Sequence, residues 1–131
     1  MQEKDLFEYA VIRVVPRVER EEFLNVGVIL LCSKRKFLKA LLKFDEPKMV
    51  ALYGDSLDVI EISDIRDNLK SFVKIADGGS DSGPIGQLDQ PSRFRWLTAT
   101  RSTVLQTSKV HPGLCDDPQQ TLDHLFNQLV V

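Results

Sequence analysis

FLNVGVILLC, residues 23–32, is apolar on both of its alternating sides. A strand that buries both faces lies inside a sheet covered by other layers, so this stretch predicts a central strand with structure above and below it. Asn25 and Gly27 interrupt it. Glycine inside a strand marks a bulge or the close approach of another group, and a buried asparagine needs partners.

Upstream, FEYAVIRVVP (7–16) alternates. Phe7, Tyr9, Val11 and Val15 fall on one side, Ala10, Ile12 and Val14 on the other, and Pro16 ends the run. Downstream, KFLKALLKF (36–44) sends Leu38, Ala40, Leu42 and Phe44 one way and Phe37, Lys39, Leu41 and Lys43 the other. SKRK (33–36) joins these last two runs as a hairpin turn, whereas Pro16 to Glu22 is a longer charged connection.

Helical signals follow. Asp45 caps a short helix begun by Glu46 and Pro47, with Met49, Leu52 and Tyr53 inward and Gly54 at its end. A longer helix within 56–76 carries the stripe Ile62, Ile65, Leu69, Phe72, Val73 and Ala76 and stops at Asp77-Gly78-Gly79. Its acidic run, Asp58, Glu61, Asp64 and Asp67, reads as a solvated face favoured by the helix dipole. A flexible loop at about 77–91 follows; its glycines lack the Lys-Ser/Thr of a phosphate-binding loop. Gln90 and Pro91 open a short helix through SRFRWL (92–97), and STVLQTS (102–108) reads as a fourth strand. Asp117, Pro118 and Gln120 start the last helix, which buries Leu122, Leu125, Phe126 and Leu129.

Strands first and helices afterwards predict an α+β fold. The expectation is one domain over residues 1–131, with a mixed or antiparallel sheet of about four strands. Three strands are N-terminal and one lies near 102–108; helices pack on the sheet, and one of them is C-terminal.

A chain of 131 residues, 43% apolar, can build a core without disulfides or metal. The net charge of −2 argues against broad adhesion to nucleic acid or anionic membrane. Cys32 reads as a core residue and Cys115 as a loop residue before Asp116. Two cysteines so far apart make neither a disulfide signal nor a zinc motif, and the expected setting is a reducing cytoplasm. The polar N-terminus does not read as a signal peptide, and the apolar run Val26–Cys32 is too short to span a bilayer. His111 and His124 lack metal-ligand spacing, so no metal or cofactor is expected.

RWLTATRSTVLQTSKVHPG (95–113) contains no carboxylate and forms a cationic island with the only tryptophan. Arg93, Arg95 and Arg101 could fork onto a carboxylate or phosphate, or pair internally. His111, before the turn-forming Pro112-Gly113, could donate to an anion or bond its own turn. Ser102, Ser108, His111 and Asp116 could in principle compose a hydrolase set, but no nucleophile elbow enforces one.

YAVIRVVPRVEREEFLNVGVILLC (9–32) and RFRWLTATRSTVLQTSKVHPGLCDDPQQTLDHLF (93–126) together resemble the bacterial domain-of-unknown-function family 3037, over nearly the whole chain. The resemblance leans on Glu22, Asn25, Gly27, Arg93, Trp96, Arg101, Ser102, Gln106, His111, Gly113 and Asp117, and assigns a catalytic role to none of them. It implies a small bacterial cytoplasmic protein and a protein partner of the HipA-like kinase fold.

Residues and resemblance together favour a non-enzymatic accessory module that binds another protein through a sheet edge or the cationic segment. Two alternatives stand beside it: a nucleotide- or nucleic-acid-binding domain, and a cryptic hydrolase or transferase using His111 with Ser102 or Glu22. A homodimer through a sheet edge fits the same pattern. The candidate binding residues are Glu22, Asn25, Arg93, Arg95, Arg101, Ser102, Gln106 and His111.

Overall fold

The structure, a computed structural model, describes residues 4–16, 22–54, 59–99 and 104–131. An antiparallel sheet is built from β1 (Asp5–Val14), β2 (Leu24–Cys32), β3 (Phe37–Leu42), β4 (Leu105–Thr107) and β5 (His111–Cys115). Its order is β3-β2-β1, and β4 and β5 share the far edge of β1. The helices are α1 (Glu46–Tyr53), α2 (Val59–Asp77), α3 (Gly83–Gly86), α4 (Gln90–Leu97) and α5 (Pro118–Leu129).

The alternation of the first three strands sorts the core into two layers. Ala10, Ile12 and Val14 join Ile29, Leu31, Leu38 and Ala40 beneath Met49 of α1, the α2 stripe, and Phe94 and Leu97 of α4. Phe7, Val28, Leu30 and Cys32 face the other way, beneath Leu122, Leu125 and Phe126 of α5. β2, apolar on both sides, is the strand from which both layers are built. Leu52 departs from its inward assignment: it is exposed, and α1 buries Met49 alone. An eight-residue helix at the margin of the sheet has room for one deep contact.

Gly27 meets both expectations for a strand glycine. The register of β1 on β2 shifts between Ile12 and Arg13, leaving Val26 as the extra residue of a bulge. A Cβ on Gly27 would lie 2.5 Å from the Leu41 carbonyl oxygen and 2.5 Å from a Leu42 methyl, so a side chain there would collide with β3.

There are five strands where four were expected. β4 and β5 face one edge of β1 in almost continuous register, with Ser108 to Val110 bulged between them. At the break the Val11 amide donates to the Ser108 hydroxyl at 2.8 Å, and the Ser108 amide donates to the Val11 carbonyl at 2.8 Å. The serine thus stands in for a missing backbone acceptor. His111, Pro112 and Gly113, expected as a turn, are strand residues; Pro112 is tolerated because β5 is an edge strand and its missing N–H breaks no inner ladder. Cys115, expected in a loop, lies buried in β5.

Candidate binding surfaces

Among the described residues, the candidate cations Arg93, Arg95 and His111 do not converge. Arg93 is buried, and its Nη1 donates to the carbonyls of Ala76 and Ile75 at 3.2 and 3.4 Å. These groups end α2, where helix carbonyls lack intrahelical donors and the dipole favours a cation. The guanidinium lies against Gly78, whose φ of 72° turns the chain out of α2. Arg95, on the exposed side of α4, forks onto Glu8 of β1 at 2.7 and 2.6 Å. Arg101 and Ser102 lie outside the described residues. His111 is exposed on β5 with its ring 5.3 Å from that of Tyr9. Glu22 precedes β2 at the opposite end of β1. The register sets Leu24, two residues after Glu22, five residues of strand from His111, roughly 17 Å, so Glu22 and His111 do not meet.

Asn25 and Gln106 are brought together. They flank Arg13 in one row across β2, β1 and β4, on the face that carries α5. Asn25 donates from Nδ2 to the Leu129 carbonyl at 3.1 Å, tying β2 to the end of α5. Arg13 stacks on the Phe23 ring at 4.1 Å. Arg13 Nε and Asn25 Oδ1 are buried without hydrogen-bond partners among the described residues. Arg13 was absent from the sequence candidates, although a lone arginine inside AVIRVV was a signal that could have found it.

A second feature has no counterpart in the sequence reading. Between α2 and α4 an open groove encloses about 450 Å³. One wall is the α2 face from Glu61 through Asp64, Ile65, Asn68 and Phe72 to Ile75; Trp96 and Leu97 of α4, with Val104 and Leu105 at the start of β4, form the other. Trp96 is 42% exposed, a large aromatic surface left in water. Two residues of the acidic run, Glu61 and Asp64, border this groove at one end. A second depression, beside α1, is bordered by Arg66 and Glu46, which satisfy each other at 2.9 Å.

Cys32 and Cys115 are both buried and free, in the cluster under α5. Burial, and next the neighbouring Cys32 thiol, push the Cys115 thiol above its usual range. Among the described residues no three His, Cys, Asp or Glu side chains gather in a metal-ligating group, and no helix is long and apolar enough to cross a membrane.

A family model described as "Protein of unknown function (DUF3037)" matches residues 9–130. The chain belongs to that family. No curated protein and no solved structure matches it. The DUF3037 match spans all five helices, β2 to β5 and all of β1 beyond its first four residues, so both the polar row and the groove lie within the family's extent.

Proposed function

We propose that this chain is a non-catalytic binding module of the bacterial cytoplasm that takes a segment of a partner protein in the groove between α2 and α4. The observation that carries the reading is the groove itself, with its apolar walls and exposed Trp96. Concavities of roughly 300–1,000 Å³ with apolar walls and a few polar groups are the usual form of a binding site. Two facts weaken the rival surfaces. Arg93 and Arg95 are engaged by the protein's own carbonyls and by Glu8, and Pro112 takes a donor out of the β5 edge.

The partner that the family resemblance points to is a HipA-like kinase-fold protein. Co-expression of that protein with the tagged chain tests the proposal. The wild type is expected to retain it in mild salt, and Asn68→Arg or Ser71→Arg, which place a long cation on the exposed groove wall, should lose it. Failure of the wild type to retain it, or retention equal in all three, overturns the proposal.

A second reading, binding of a small anion, is favoured by Arg13, which packs on Phe23 with its Nε lacking an acceptor among the described residues. Titration with nucleotides at low salt tests it: binding that weakens with salt and is lost in Arg13→Gln supports it, and no binding at low salt removes it.

A further inference from the structure

We infer that the occupant of the α2–α4 groove is an amphipathic helix of the partner, carrying apolar side chains at i, i+3 or i+4 and i+7 and a Lys or Arg at the end that lies over Asp64. The inference rests on the groove being the binding site. The α2 wall runs from Glu61 to Ile75 at helical spacing. Fourteen residues of helix rise about 21 Å, the length of a four-turn helix laid alongside. An edge-added strand fits less well: β4 has three residues, and such a strand spans about 10 Å, half the groove. The α2 lining residues fall in the i+3 and i+4 rows into which a second helix seats its own side chains.

Polarity along the groove sets direction. The Glu61–Asp64 end is acidic, Asn68 and Ser71 are neutral, and Phe72 and Ile75 make the far end apolar. Asp64 is exposed and forms no ion pair among the described residues. An acidic end on a chain of net charge −2 repels an anionic segment and favours a cationic one.

The test uses the full chain and three synthetic helices without tryptophan: one amphipathic with Lys at one end, the same with Glu, and one with its apolar spacing scrambled. Trp96 is the only tryptophan, so its emission reports on the groove wall directly. The Lys helix should shift Trp96 emission to the blue and bind about two- to fivefold tighter than the Glu helix, the range of an exposed charge pair. Asp64→Lys should reverse that order, and the scrambled helix should leave the emission unchanged. Equal binding of the Lys and Glu helices, untouched by Asp64→Lys, overturns the charge assignment while leaving the groove as a site. No change in Trp96 emission with any helix overturns the groove reading as well. A dimer in sedimentation that Asn68→Arg dissociates would give the groove to a second copy of this chain and overturn the inference.

Discussion

Arg93→Met separates a structural arginine from a ligand-binding one. Methionine keeps an unbranched stem in the same buried space and removes the donors. The Ala76 and Ile75 carbonyls then lose a cationic partner at 3.2 and 3.4 Å. Hydrogen bonds to a charged group contribute about 1.5–3 kcal/mol each, and these long ones belong at the lower end. The cation at the end of α2 contributes about 0.5 kcal/mol more through the dipole. Against this stands the relief of no longer burying the guanidinium of a residue that is 7% exposed, with an unpartnered Nε. The net expectation is a loss of about 2 kcal/mol, read as a urea midpoint lowered by roughly 1 M at unchanged slope. Arg95→Met is the control two residues away: it breaks a bidentate pair with Glu8, but at a side chain more than half exposed, so its cost stays below about 1 kcal/mol. Equal midpoints for Arg93→Met and the wild type, or a larger loss for Arg95→Met, would refute the assignment of Arg93 to the end of α2.

Gly27→Ala should lower stability by about 1–3 kcal/mol, read as a lower urea midpoint, because the Leu42 methyl can move away from the new Cβ whereas the Leu41 carbonyl is fixed in the β2–β3 ladder. Cys32 and Cys115 should remain a dithiol: β1 lies between their strands, and two interstrand spacings of about 4.8 Å exceed the Cα separation a disulfide accepts. Thiol titration should therefore find both groups unreactive when folded and both reactive in concentrated urea, and a native disulfide would contradict this. Asp5 is held below the usual carboxylate value of 3.8, chiefly by the Arg35 guanidinium at 2.5 Å. A depressed folded pKa adds stability that is present above the unfolded value and is lost as pH falls through the folded one. Urea midpoints between about pH 5 and pH 2 should consequently fall less steeply for Asp5→Asn than for the wild type; parallel curves would dissociate Asp5 from acid unfolding.

The period-two alternation of residues 7–16 and 36–44 placed side chains such as Ile12, Phe7, Leu38 and Phe37 on the faces they occupy, because strand geometry allows a side chain only two directions. Helix caps were legible for the same local reason: Asp45, Asp89 and Asp117 each accept backbone amides from the first turn of their helices. Asp89, which sits one residue before the expected start at Gln90, is the cap the sequence reading left unnamed. β5 was hidden because Pro112-Gly113 carries a turn signature, and the fact that overrides it, a position at a sheet edge, is tertiary. The fates of Arg93 and Arg95 were equally closed to local reading. Two positions apart on α4, one faces the end of α2 and the other faces Glu8, and that difference depends on where α4 docks. The groove needs α2, α4 and β4 to meet, so no single stretch announces it.

The arginine that looked like a ligand contact also shapes the groove. Arg93 and Trp96 are three residues apart on α4 and therefore sit on neighbouring turns of one face. Arg93 fixes α4 against the last turn of α2, and Trp96, one turn further on, stands across the groove from α2. The separation of the groove walls thus depends on a hydrogen bond buried behind them. Arg93→Met should weaken the Lys-helix affinity even though no ligand reaches Arg93, and that loss should be insensitive to salt because wall spacing is a packing effect. The loss caused by Asp64→Lys acts through an exposed charge and should shrink as salt is raised. If the effect of Arg93→Met also shrank with salt, Arg93 would be acting on the ligand as a charge and not on the groove as a brace.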